Sequence, residues 1–198
     1  MMSNDYKTID ERQSYVTKSG QEWEITVMDF VNRKLKELSS SLVVIQGKSI
    51  RKNSELWRKL SIPVGRPDPR DNVWGDIDLV VIDKAGRPIG VISCKISLHG
   101  RFPETLFYAV VLKDLTPNLK FCLATPDKGR QPGSGIWQSE WGSEDKPTKD
   151  RQLGSYYLDG IYVLNENTKL GGKVKSLEDL PQDLVKWYKT HNSDFNSY

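Results

Sequence analysis

Cysteine and histidine are scarce in this chain of 198 residues: Cys94, Cys122, His99 and His191 are all there are. Two cysteines cannot build a disulfide scaffold, and two histidines are too few for most zinc sites. No apolar run approaches the roughly 18 residues that a membrane helix needs. The opening MMSNDYKTIDERQ is polar and lacks the apolar stretch of a secretory signal. Net charge is also modest, at +3 with a pI near 8.7. What the chain does have is aromatic residues, six Trp, eight Tyr and five Phe, and disordered chains are poor in these. The expectation is a soluble cytoplasmic domain with reduced thiols and no membrane partner, with Cys94 and Cys122 as core thiols. The length suits one domain, residues 1–198.

Along the chain, residues 1–18 read as a polar lead-in. Trp23, Val27, Phe30, Val31, Leu35 and Leu38 recur at spacings of three and four, which predicts a helix over 21–38 between Ser19-Gly20 and Ser39-Ser40-Ser41. Residues 42–46 read as a short strand and 48–61 as a basic helix. DIDLVVID and IGVISCKISL, separated by a turn, predict a β-hairpin. A helix over 103–115 with Pro103 in its first turn follows, then a strand over 119–124. Residues 126–155 have no clear period. A strand or hairpin arm over 156–165 and a closing helix over 176–191 end the chain. That order implies an α/β or α+β domain with a mixed central sheet.

The chemistry concentrates in WGDIDLVVIDKAGRPIGVISCKISLHGRFPE. Side chains alternate across a strand, so Asp76 and Asp78 share a face with Val80 and Ile82. On the second strand Ser93, Lys95 and Ser97 share a face, while Ile92, Cys94 and Ile96 take the apolar one. A lysine there needs nearby carboxylates, because burying an unpaired ammonium is costly. Clustered carboxylates favour a hard divalent cation, and Mg²⁺ accepts one or two of them plus waters. Together with a lysine, such a site can bind a phosphodiester, orient water and stabilise charge on phosphorus.

These residues resemble the PD-(D/E)xK nuclease superfamily, in particular the type II restriction endonucleases. In that family one strand carries Asp and its hairpin partner carries acid-x-Lys. Asp78 matches the metal-binding Asp and Lys95 the catalytic Lys. The match departs at two positions, since Ile77 stands where Pro is expected and Ser93 where the acid is expected. The resemblance implies that the missing carboxylate has moved onto the following helix, where Glu104 lies nine residues after Lys95, and that an early helix adds Glu24, with Glu22 as second choice. It implies a restriction-endonuclease-like mixed sheet flanked by helices, Mg²⁺ with Mn²⁺ as a substitute, and cleavage of double-stranded DNA at a short specific site to 5′-phosphate and 3′-hydroxyl ends. A palindromic site would call for a homodimer.

Two regions are candidate DNA contacts. Residues 46–72 hold seven basic side chains, Lys48, Arg51, Lys52, Arg58, Lys59, Arg66 and Arg70, against three acidic ones, which suits a phosphate-tracking surface. His99, Arg101 and Lys113 flank the proposed site. The segment 126–155 is too long for a passive connection and is expected to be a DNA-recognition or dimerisation loop. Lys128, Arg130, Gln131, Gln138, Lys149, Arg151 and Gln152 in it are residue types that read base edges. Two rivals stand beside the restriction endonuclease: a structure-specific repair or recombination nuclease, separable by its preference for branched substrates, and a noncatalytic DNA-binding module on a nuclease-like fold, which Ser93 favours.

Overall fold

Trp23, Val27, Val31 and Leu35, four residues apart, form the buried stripe of the first helix in a computed structural model of the chain. The structure describes residues 9–52, 54–98, 100–130 and 136–195, with side chains from 19 to 190. His99 and Gln131, two of the expected DNA contacts, lie outside the described residues. Helix α1 spans Ile9–Glu37 and so begins well before the expected Gln21. Ser19 and Gly20 do not stop it, because a helical glycine costs only about 1 kcal/mol relative to alanine. Strand β1, Val43–Gln46, follows.

The expected basic helix shrinks to α2, Glu55–Leu60, where the Ser54 hydroxyl caps the Trp57 amide. Strands β2, Ser61–Ile62, and β3, Val73–Trp74, pair as a small separate ribbon. The hairpin is present as β4, Leu79–Ile82, and β5, Pro88–Cys94. Its turn is set by Asp83, which accepts hydrogen bonds from the Ala85 and Arg87 amides at 2.9 Å each, while Gly86 takes φ 74°. Helix α3, Phe102–Leu115, and strand β6, Lys120–Thr125, follow as expected. The region without a period contains helix α4, Lys149–Tyr157, begun by the Thr148 hydroxyl accepting from the Arg151 amide. Strands β7, Gly160–Val163, and β8, Val174–Ser176, and helix α5, Leu180–Phe195, complete the chain.

Among the described residues six strands form one mixed sheet in the order β1-β4-β5-β6-β7-β8. β1, β4 and β5 run antiparallel to one another, whereas β5, β6, β7 and β8 are parallel. One face packs Leu79, Val81, Ile92 and Tyr162 under α1 and α5, and the other packs Val80, Val91, Phe121 and Ile161 under α3 and α4. Every residue of β5 is buried, as befits a central strand covered on both faces. Cys94 and Cys122 are buried free thiols. Among the described residues no helix is long and apolar enough to cross a membrane.

Candidate active site

The register of the hairpin decides which charges meet. Leu79 pairs with Ile92 in the antiparallel ladder; continued outward, this sets Asp78 opposite Ser93 and Asp76 opposite Lys95. The Lys95 ammonium forms ion pairs with Asp76 and, at 3.1 Å, with Asp78. Asp78 also accepts from the Cys94 amide at 2.6 Å and the Ser93 hydroxyl at 3.4 Å. The Lys95 amide donates to the Ala124 carbonyl at 3.0 Å, which ties the lysine's backbone to β6. Lys95 is only 5% exposed, so its charge is held by its partners rather than by water.

Two close backbone approaches shape the space in front of this cluster. The Gly47 amide donates to the Asp78 carbonyl at 2.8 Å, and a β-carbon at Gly47 would stand 2.0 Å from the Ile77 carbonyl oxygen. Glycine therefore lets the end of β1 lie against the Asp76–Asp78 segment and presents Lys48 beside it. A β-carbon at Gly75 would likewise strike the Tyr108 ring at 2.6 Å. The result is a cleft of about 210 Å³ lined by Glu24, Lys48, Trp74, Asp76 and Asp78. Trp74 is fixed by stacking on Trp57, centroids 5.0 Å apart and planes 12° from parallel, and the Trp57 indole donates to the Pro69 carbonyl at 2.9 Å.

Two aspartates surround one ammonium, so the cluster carries surplus negative charge. Burial raises the Asp78 carboxyl above the usual range, Lys95 opposes that, and the neighbouring Asp76 adds to it. Lys95 moves up as well, because the Asp78 and Asp76 carboxylates outweigh the effect of burial. Glu24 is raised by burial and next by Asp78. Glu24 is therefore ionised at a cost in the folded state and at none in the unfolded chain, so Glu24→Gln should raise Tm at pH 7 by up to a few degrees. A lower Tm in a thermal melt without divalent ions would refute this repulsion.

The donor set suits a hard divalent cation in one respect, since surplus negative oxygen charge at the mouth of a cleft is what Mg²⁺ takes, with one or two carboxylates. Among the described residues, however, no three His, Cys, Asp or Glu side chains are grouped as a metal cluster. Of the expected shell of Asp78, Glu104 and Glu24, Asp78 and Glu24 line the cleft. Asp76 is the second carboxylate gathered at Lys95, and Glu24 lines the cleft. Glu104 is exposed and is not among the residues lining the cleft; its neighbour Thr105 is the α3 residue that meets Ser93, at 3.4 Å. Glu22 is exposed on α1. Asp76 could have been found from the Asp-x-Asp spacing, which puts it on the Asp78 face.

Of the expected DNA contacts, Lys48 rims the cleft, and Arg51, Lys52, Arg58, Arg66, Arg101, Lys128, Arg130 and Gln152 are exposed. Lys52 lies over the Trp57 ring. Arg70 is exposed but is forked onto Asp68 through contacts of 2.8 and 2.5 Å. Arg151 is corrected: it is 4% exposed, and its guanidinium donates to the carbonyls of Lys169 and Gly171 at 2.9 Å each. Its guanidinium is committed to backbone acceptors rather than presented at the surface.

Residues 46–183 match the family model described as BsaWI restriction endonuclease type 2. The MjaVIP protein of Methanocaldococcus jannaschii, provisionally named a type II restriction enzyme, is 34% identical over 100 residues, 50% of this chain and 42% of that protein. The chain thus aligns with less than half the length of this curated relative. Among solved structures, the specific restriction endonuclease AgeI–DNA complex superposes with a TM-score of 0.67 at 18% identity, over 91% of this chain and 71% of that one. The pre-specific BsaWI–DNA complex gives 0.51 at 12% identity, over 91% and 66%. At these identities the likeness speaks for a shared fold, a mixed sheet flanked by helices.

Proposed function

The chain belongs to the BsaWI family of type 2 restriction endonucleases, and on that premise we propose that it hydrolyses double-stranded DNA at a short specific site with the help of a divalent cation, Mg²⁺ or Mn²⁺ in its place, to give 5′-phosphate and 3′-hydroxyl ends. The observation that carries this reading is the Asp76–Lys95–Asp78 cluster at a cleft rimmed by Lys48 and Trp74. Asp78 and Asp76 would hold the cation, with Glu24 facing it across the cleft. A bound divalent cation would neutralise charge on the phosphate and lower the pKa of a bound water. Lys95, its ammonium held charged by the two aspartates, orients the scissile phosphate and offsets the charge that builds on it. Ser93 occupies the position of the family acid and donates a hydroxyl to Asp78.

Lys48 at the rim, with Arg51, Lys52, Arg58 and Arg66 beyond it, gives the duplex backbone a basic track. The Trp74 indole, immobilised on Trp57, supplies an apolar wall for a deoxyribose. A palindromic site would be met by a homodimer, each subunit cutting one strand. Digestion of a large phage DNA with Mg²⁺ should yield discrete fragments. A smear would mean cleavage without sequence preference. An intact substrate at every Mg²⁺ and Mn²⁺ concentration, with DNA binding retained, would hand the chain to the noncatalytic reading that Ser93 favours, and a preference for branched DNA would hand it to the repair class.

A further inference from the structure

The parallel strands β5, β6 and β7 all end at one edge of the sheet, at Cys94, Thr125 and Val163. Lys95 follows the first of these ends. The chain after the other two builds a cavity of about 770 Å³ on the same edge, between residues 136–148 and 167–169. The Leu98 amide donates to Glu140 Oε1 at 3.4 Å, so this region is also joined to the segment leaving the catalytic strand.

Both walls of the cavity are fixed from behind by buried charged groups. Asp127 is fully buried. Its carboxylate accepts from the Ser139 hydroxyl at 2.6 Å, the Glu140 amide at 3.1 Å and the Thr168 hydroxyl at 2.5 Å, and its carbonyl accepts from Asn165 Nδ2 at 3.0 Å. Arg151 holds the carbonyls of Lys169 and Gly171. Trp141 is buried between these walls and the core, edge-on to Phe102.

In front of this frame the chemistry is of another kind. Gln138, Lys146, Asn167 and Lys169 line the cavity and are exposed, and among the described residues none of their side chains is engaged in a hydrogen bond or ion pair. Ile136 and Trp137 add apolar surface, with the Trp137 indole N–H already given to the Lys128 carbonyl at 2.9 Å. Acidic and basic residues balance across 126–155, while the cavity lining itself carries Lys146 and Lys169 and no acidic residue. Two amides, two ammonium groups and an apolar patch on a rigid frame match the edges of base pairs: amides suit adenine, lysines suit guanine, and apolar carbon suits the thymine methyl.

We propose that this cavity reads the base sequence of duplex DNA in the major groove, through Gln138, Lys146, Asn167 and Lys169. The inference rests on the nuclease reading for its ligand class and names where that site's specificity lies. Arg151 and Asp127 act here as positioning residues that touch no DNA.

The test uses binding without cleavage. A pool of random-sequence duplexes is selected on the wild-type chain in Ca²⁺, and in parallel on Lys146→Ala/Lys169→Ala and Gln138→Ala/Asn167→Ala, each first checked for a wild-type melting curve. The wild type should enrich one short motif. Each double variant should relax it at one or two positions and lose about 5- to 100-fold in affinity for the wild-type motif, with little change for scrambled duplex. An unchanged motif would overturn the proposal. So would a uniform loss of affinity with a shallower salt dependence, the mark of phosphate contacts, and so would the absence of any enriched motif. Phage DNA digestion reports separately on catalysis, so a chain that selects a motif but never cuts defeats the nuclease reading and spares this one.

Discussion

Replacing Lys95 with alanine is expected to abolish cleavage and to lower stability by about 3–5 kcal/mol, the usual cost of removing one member of a buried ion pair. Asp78 has a side chain only 12% exposed, and without the ammonium its partners among the described residues are the Cys94 amide and the Ser93 hydroxyl. For a chain of this length that loss corresponds to a fall in Tm of about 10 °C, measured in EDTA at pH 7. The pH dependence gives the mechanism a sign. Burial already raises the Asp78 carboxyl in the wild type, and without Lys95 it goes higher still. Between the unfolded and folded pKa values the native state takes up a proton that the unfolded chain does not, so the variant regains stability as pH falls below neutrality. A Lys95→Met/Asp78→Asn variant, which removes the two most buried charges, keeps the volume and leaves only the more exposed Asp76, should recover most of the lost Tm without recovering cleavage. A Lys95→Ala protein that melts like the wild type would show that the ammonium is not the counter-charge of this cluster.

Asp78→Asn should reduce cleavage by at least about 10²- to 10³-fold, the scale set by losing one preorganised charged or polar group at a reacting centre. The substitution preserves shape and leaves an amide oxygen for the Cys94 N–H. It also removes one of two carboxylates competing for a single ammonium, so the folded state should survive it. DNA binding in Ca²⁺ should stay within a few-fold of wild type, which separates a chemical defect from a docking one. Burial raises the Asp78 carboxyl in the metal-free protein, so protons should compete with the cation there and the Mg²⁺ concentration needed for half-maximal cleavage should rise as pH falls. Cleavage by Asp78→Asn at a wild-type rate would remove the aspartate from the reaction.

Much of the site was legible because it lies on a hairpin. The alternation in DIDLVVID and GVISCKIS assigns Asp78, Ser93 and Lys95 to one face, and the short turn at Asp83 fixes the two strands close enough to meet. The identity of the second carboxylate was less legible. Glu104 has the right distance along the chain and the right place on a helix, yet α3 turns Thr105 toward Ser93, while the hairpin register delivers Asp76. A one-residue step on a helix rotates a side chain by about 100°, so the sequence could not choose between neighbours whose facing depends on how α3 docks.

Arg151 shows the same limit more plainly. Its composition is that of a base-reading residue, and its neighbours Lys149 and Gln152 are exposed. It is buried with its guanidinium donating to the carbonyls of residues 169 and 171, on the connection between β7 and β8. No local pattern announces this. The sequence by itself determined the strand faces, the hairpin and the pairing of Asp78 with Lys95, because strand periodicity and turn chemistry act between near neighbours in the chain. The tertiary structure alone decided that Glu104 stays out of the cleft and which basic groups of the long segment stay exposed, because burial and hydrogen-bond satisfaction are settled by groups that meet only after the sheet has formed.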